Sequence, residues 1–316
     1  MSLVTIPEAS KWASDYLDKE VLPTNISYLV QYGKVKKHGE NGSTLVDLGD
    51  LKKYYKSIDE KSDGSRRSLR DMSRFLNKLI CGDVIEVMKQ IPDESVDLVI
   101  TSPPYNLKNS TGNGMKDGRG GKWANAALQK GYTHHDDCMS HEEYVRWQRD
   151  CLTEMMRIIP DDGAIFYNHK WRVQGGLLQD RQDIVSGFPV RQIIIWRRKG
   201  GFNFNPGYFL PTYEVIYLIA KPKFKLSEKA NAYGDVWEFT QEMNNEHPAA
   251  FPTRLIDRIV SATTAKTILD PFMGSGTTAI SAINFDRSYI GIELSPEYCE
   301  MAKKRIRKHQ SNTKLL

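Results

Sequence analysis

The residues best placed to do chemistry begin where an apolar run breaks off. Leu98 to Thr101 reads as a buried strand and stops at Ser102-Pro103-Pro104-Tyr105. Two prolines carry no backbone donor, so neither strand nor helix continues through them. A hydroxyl, a stiff turn and an aromatic ring therefore stand together at a strand end.

A second strand end lies in TILDPFMGSGTTA, Thr267 to Ala279, where Asp270 closes the strand and a glycine turn opens a helix. Gly274, Gly276 and Ala279 fit the spacing that lets a backbone approach a ligand closely. No Lys-Ser/Thr pair follows the glycines, which excludes an ATPase phosphate loop. Glu293 ends the next strand, YIGIE, 17 residues beyond Gly276, near the place where an acid binds ribose hydroxyls in such folds. These features suit a nicotinamide, flavin or adenosylmethionine site.

Elements that would position these residues follow from periodicity. From about Asn77 the chain alternates: strands at KLICGD, VDLVIT, GAIFYN, VRQIIIWR, YEVIYLIAKP, TILD and SYIGIEL, with helices at VIEVMKQI, EEYVRWQRDCLTEMMRII, TRLIDRIVSATT and after GSGTT. Alternation of this kind predicts an α/β domain, an open, mostly parallel twisted sheet with helices on both faces. Ligands in such sheets bind at the carboxyl ends of strands.

The first segment reads differently. Helical spacing covers Pro7 to Lys19, a second helix starts at Thr24-Asn25, and after the turn KKHGENGS a short strand precedes a third helix in TLVDLGDLKKYYKS. The charged stretch SIDEKSDGSRRSLRDMSR then reads as a linker. Residues 1–56 are expected as a module, 57–76 as the linker and 77–316 as the main domain. Helix, turn, helix, hairpin and helix resembles the excisionase-like winged helix-turn-helix domains. That resemblance implies DNA reading, with Lys34, Lys36 and Lys37 meeting phosphates near the end of the second helix; a purely structural helical cap is the alternative.

Composition sets outer limits. The chain has 316 residues, 40% hydrophobic, with a net charge of +5, which allows a full core and a polyanionic partner without requiring one. No apolar run approaches a membrane span, and the amino terminus lacks a leader pattern, so a cytoplasmic location is expected. Four cysteines without paired spacing argue against a disulfide framework. The cluster His134 to His141 offers metal-binding side chains, but no second ligand pair matches it. No metal is expected, and Ser140 with Glu143 reads instead as a helix capping box.

VITSPPY and DPFMGSGTT together closely resemble the amino-directed, S-adenosylmethionine-dependent DNA methyltransferases, over roughly Asn77 to Ile306. The catalytic motif precedes the cofactor motif, as in that family's permuted beta class, which implies a Rossmann-like methyltransferase fold. By resemblance, Ser102, Pro103, Pro104 and Tyr105 are catalytic. Asp270, Pro271, Phe272, Gly274, Ser275, Gly276, Thr277 and Glu293 would bind the cofactor, joined by His247, Pro248 and Phe251 in NNEHPAAFP and by Asp83 in CGD.

A physical reason for the first motif then follows. An exocyclic amino nitrogen is a poor nucleophile because its lone pair is delocalised into the base. Ser102 and the Pro103 carbonyl can accept its two hydrogens and localise that pair, with little reorganisation because proline sets the geometry. Tyr105 offers a ring for a base turned out of the duplex. None of the four cysteines follows a proline, so cytosine C5 chemistry is disfavoured.

Ser in the first motif position resembles the cytosine-N4 enzymes; Asp or Asn there resembles adenine-N6 enzymes, and Asn106 after the motif is also seen among the latter. Lys108, Lys116, Arg119 and Lys122 in the long loop after Tyr105, with Arg197 and Arg198 in WRRKGGFNFNPGYFLPTYE, are candidate DNA contacts. The expected substrate is double-stranded DNA, and the implied partner is a restriction endonuclease acting on the same site. Rival readings are a nicotinamide-dependent oxidoreductase and a DNA-binding regulator on an inactive methyltransferase fold. Oligomeric state is left open between monomer and dimer.

Overall fold

A computed structural model describes residues 2–17, 20–31, 33–39, 44–56, 72–106, 139–174, 176–198, 203, 205–240 and 251–313. The chain divides into two compact units, Met1–Arg70 and Asp71–Leu316. Among the described residues no helix is long and apolar enough to cross a membrane.

In the first unit, β1 (Leu3–Thr5) pairs antiparallel with β2 (Leu45–Asp47), and α1 (Ile6–Leu17) and α2 (Pro23–Gln31) lie between them in sequence. A third helix, α3, covers 48–56. The link between α1 and α2 is tied down by Ser14, whose Oγ accepts from Val21 N at 2.9 Å, and by Leu22 N donating to Asn25 Oδ1 at 2.8 Å. Ala9, Ala13, Ile26, Leu29, Val46 and Leu51 form its core. An antiparallel bridge joins His38 to Leu45. Lys34, Lys36 and Lys37 are exposed just beyond α2. Strand β1 is not foreseen from sequence, because three residues are too few to show a period.

The second unit is built on one eight-stranded sheet. In chain order it comprises β3 (Lys78–Cys81), α4 (Val84–Met88), β4 (Leu98–Thr101), α5 (His141–Ile158), β5 (Ala164–His169), the hairpin β6 (Arg172–Gln174) and β7 (Leu177–Gln179), and α6 (Gln182–Val185). Then follow β8 (Val190–Arg197), β9 (Tyr213–Ala220), β10 (Val236–Glu238), α7 (Thr253–Ser261), β11 (Thr267–Asp270), α8 (Thr277–Asn284), β12 (Ser288–Glu293) and α9 (Pro296–Thr313). The sheet order is β10-β8-β9-β5-β4-β11-β12-β3. Strand β9 alone runs antiparallel to its two neighbours.

Side-chain alternation explains the three layers. Val99, Ile165, Tyr167, Val215, Tyr217 and Ile219 face one core with α4, α5 and α6, whereas Leu98, Ile100, Phe166, Ile216 and Leu218 face the other with α7 and α8. Both faces being covered, these strands read as continuous apolar runs. The capping box expected at α5 is formed: Glu143 N donates to Ser140 Oγ at 3.2 Å, and Ser140 N donates to Glu143 Oε2 at 3.1 Å.

Strands β4 and β11 are neighbours, yet the chain leaves β4 toward β5 and leaves β11 toward β12. A crevice opens at such a switch point, outside the carboxyl ends of the strands. Both sequence motifs stand at its mouth.

Candidate functional site

Ser102 to Tyr105 follow β4 directly. Ser102 and Tyr105 are half-buried, and Pro103 and Pro104 are buried. The two proline carbonyls have different fates. That of Pro104 accepts from the Tyr144 hydroxyl at 2.8 Å and the Gln148 amide at 3.5 Å, both from α5. Among the described residues none donates to the Pro103 carbonyl.

Behind the turn lies a buried polar network. The Asn168 amide, at the end of β5, donates to Tyr105 OH at 2.7 Å, to Glu214 Oε2 at 2.7 Å and more weakly to Ser102 Oγ at 3.3 Å. Tyr105 OH donates to Glu214 Oε2 at 3.2 Å, and the oxygens of Ser102 and Tyr105 are 2.6 Å apart. Either oxygen can donate in that 2.6 Å contact; where the Glu214 carboxylate, the stronger acceptor, draws the phenolic proton, Ser102 is the donor to Tyr105. The lone pairs of Ser102 Oγ are then turned away from its own proton. Glu214, on antiparallel β9, is in turn paired with Arg198 at 3.0 Å.

The Tyr105 ring rests on that of His169, with centroids 4.8 Å apart at 32°. His169 Nε2 is 2.8 Å from the Tyr144 hydroxyl. Burial, aided by the Arg181 charge, lowers the His169 imidazole to about 3, so the ring is neutral across the physiological range. It serves as packing beneath Tyr105, and a proton donor of that strength would be unusable near neutrality.

Across the crevice, the turn after β11 is drawn tight. Gly274 and Gly276 adopt φ values of 51° and 84°, a conformation that strains other residues. A Cβ on Gly276 would stand 3.3 Å from Ala302 Cβ and Ile306 Cδ1 of α9. Arg305 of the same helix donates to Ser275 O, Ser275 Oγ and Thr277 Oγ1 at 2.9 to 3.1 Å, tying the turn from its outer side. Glu293 accepts from Gly274 N and Ser295 N, both at 2.9 Å. Pro271 is buried beside Asp270.

Asp270 accepts from Thr278 Oγ1 at 2.6 Å and from Phe272 N at 3.0 Å. Burial nevertheless pushes its carboxyl up to about 7, with the Glu293 charge adding to the push. Phe272 meets Trp147 edge to face at 5.7 Å. Two carboxylates at adjacent strand ends, a tight glycine turn and half-buried aromatic rings suit a ligand with vicinal hydroxyls, a purine and a positive centre.

Asp83 stands two residues beyond Cys81, which is paired with Glu293 across β3 and β12. Asp83 is exposed and caps α4, its Oδ1 accepting from Ile85 N and Glu86 N. Phe251 is buried against Trp196. Arg197 is exposed and pairs with Glu238, whereas Arg198 is held by Glu214. Lys108, Lys116, Arg119, Lys122, His247, Pro248 and the 134–138 part of the histidine cluster lie outside the described residues. His141 pairs with Asp183 at 2.9 Å.

Sequence reading missed Asn168, His169, Glu214, Tyr144, Gln148 and Arg305. The first three had a usable mark, since a polar residue inside a strand buried on both faces must be hydrogen-bonded or functional.

Comparison with known proteins places these motifs among relatives. The DNA methylase family profile, N6/N4 type, matches residues 96–304. The type II methyltransferase M.BglII of Bacillus subtilis is 29% identical over 271 residues, covering 72% of this chain and 68% of that protein. M2.MboI of Moraxella bovis, also a type II methyltransferase, is 28% identical over 71% of this chain and 85% of its own. A provisionally assigned DNA modification methylase of Thermus thermophilus, solved in complex with S-adenosyl-L-methionine, aligns with a TM-score of 0.53 at 25% identity, over 74% of this chain and 94% of that one. The cytosine-N4-specific PvuII DNA methyltransferase shares the fold, with a TM-score of 0.56 at 18% identity over 72% and 84%.

Proposed function

The chain belongs to the N6/N4 family of DNA methylases, and from that premise we propose that it transfers a methyl group from S-adenosylmethionine to the exocyclic N4 amino group of cytosine in duplex DNA. The observation that carries the proposal is the facing of two strand ends at the switch point. On β4 stand the Ser102 hydroxyl and the Pro103 carbonyl; on β11 and β12 stand Asp270, the glycine turn and Glu293. The motif order, SPPY before DPFMGSG, supports the permuted beta class.

When bound, S-adenosylmethionine supplies the electrophilic methyl group. Glu293 would hold the ribose hydroxyls, Phe272 would pack on the purine and Asp270 would face the positive end. Ser102 Oγ accepts one amino hydrogen and the Pro103 carbonyl the other, which localises the lone pair on nitrogen. Tyr105, backed by His169, gives the extruded base a face on which to stack. Lys34, Lys36, Lys37 and Arg197 are exposed and available for phosphates, with residues 1–56 sharing in sequence reading as a helix-turn-helix module. A type II name among the relatives supports a restriction endonuclease of matching specificity as the partner.

The deciding experiment is incubation with S-adenosylmethionine and mixed-sequence duplex DNA, digestion to nucleosides and mass spectrometry. N4-methylcytosine is expected. N6-methyladenine would keep the fold and cofactor but overturn the base, and no methylated base would overturn the activity.

Asp270 adds a pH dependence whose sign can be worked out. Its carboxyl titrates at about 7 in the fold, against 3.8 as its ordinary value. Between those limits the folded protein holds a proton that the unfolded chain has lost, so folding stability falls as pH rises through this window. A cation seated against Asp270 favours the carboxylate and offsets that loss. Affinity for S-adenosylmethionine is therefore expected to weaken about tenfold per pH unit below about 7 and to level off above it. Calorimetry in buffers of different ionisation enthalpy should show about one proton released on binding near pH 6; uptake of a proton, or a flat profile, would remove Asp270 from the site.

A further inference from the structure

Phe209 is 98% exposed, in a protein whose other phenylalanines with assigned burial are partly or fully covered. Single exposed apolar residues are common and need no explanation by themselves. The place and stiffness of this one set it apart. It stands on the connection from β8 to β9, at the sheet edge where Ser102 and Asp270 lie. Both feet of that connection are built into the catalytic network: Arg198 N donates to Thr212 O at 2.7 Å, and the Arg198 guanidinium pairs with Glu214. Glu214 is only five positions beyond Phe209, a reach of at most about 18 Å.

The tip itself is held by its own asparagines. Asn203 Nδ2 donates to Tyr208 O at 2.5 Å, Asn205 N to Asn203 Oδ1 at 3.0 Å and Gly207 N to Asn205 Oδ1 at 2.8 Å. Pro206 and Pro211 restrict the backbone on either side. A ring held out on so stiff a support is presented at little entropic cost.

Resting on the function proposed above, we propose that Phe209 is the wedge that enters the base stack when the target base leaves it. An amino nitrogen cannot reach Ser102 while its base is stacked, and extrusion leaves a slot between the neighbouring pairs. Apolar rings inserted at base steps fill such slots in DNA-distorting proteins. Tyr105 is engaged at its hydroxyl and on one side of its ring within the pocket, so a second aromatic group is needed at the duplex. Phe209 supplies it, and Leu210, partly exposed beside it, extends the apolar tip.

The test uses the full chain and a duplex carrying the site that the wild-type protein methylates, with a fluorescent base analogue at the target position. Without cofactor, wild type should brighten the analogue as it unstacks. Phe209→Ala should lose most of that signal and slow methyl transfer about tenfold or more on matched duplex. Both should return to near wild-type levels on a duplex mismatched at the target, where extrusion costs little. Phe209→Trp should retain function. S-adenosylmethionine affinity should not change in either variant.

Equal loss on matched and mismatched DNA, or no loss on either, would overturn the wedge. So would an altered oligomeric state of Phe209→Ala with normal brightening, which would assign the ring to contact between copies. Failure of the wild-type chain to methylate any duplex would instead defeat the functional reading on which the wedge depends.

Discussion

Ser102→Ala is expected to lower kcat by about 10²- to 10³-fold while leaving S-adenosylmethionine affinity unchanged. The size follows from what the hydroxyl does. On the proposed mechanism it is one of two acceptors aimed at the amino group, and removing one such preorganised group from a partly desolvated site costs on that scale. The fold should survive the change, because the Asn168 amide keeps its two shorter bonds, to Tyr105 OH and Glu214 Oε2, and loses only the 3.3 Å contact. Single-turnover kinetics beside calorimetric titration of the cofactor separate the two effects. Near wild-type turnover would take Ser102 out of the catalytic set; loss of cofactor binding would move it to the other side of the crevice.

Much of this site was legible because its motifs break local rules. Two prolines after an apolar strand and two glycines before a helix are conspicuous against any periodic pattern, so both strand ends could be located from residues alone. Strand periodicity likewise marked seven of the main sheet's eight strands, all but β10. The misses have physical causes. Strands β6, β7 and β10 have three residues each, too short to carry a period. Helix α9 is rich in lysine and arginine, and it is recognisable chiefly by its packing under Gly276 and by the reach of Arg305 to the glycine turn. Above all, Asn168 and Glu214 are far apart in the chain and meet only because β9 runs antiparallel beside β5, with Asn168 opposite Ile216. Strand order and direction depend on long-range pairing that no local pattern encodes.

Glu214→Gln is expected to lower kcat by about 10- to 100-fold with cofactor affinity intact, and to add little once Ser102 has been removed. In wild type the carboxylate fixes the direction of a chain of hydrogen bonds. On the proposed reading it accepts from Tyr105 OH, Tyr105 accepts from Ser102 in the contact whose donor either oxygen could be, and Ser102 then offers the substrate lone pairs only. A neutral amide of the same shape weakens that direction and sets its own NH₂ against the Arg198 guanidinium. Ser102 can then spend its proton elsewhere and present the wrong polarity to an amino group. Glu214→Ala should behave differently: it strands Arg198, whose side chain is only 17% exposed, and should cost about 3–5 kcal/mol of stability, read by denaturant unfolding. The discriminating measurement is the double variant. If Glu214 acts through Ser102, Ser102→Ala/Glu214→Gln should be scarcely slower than Ser102→Ala; if the two losses multiply, Glu214 contributes by a separate route and the directional chain from Ser102 through Tyr105 is wrong.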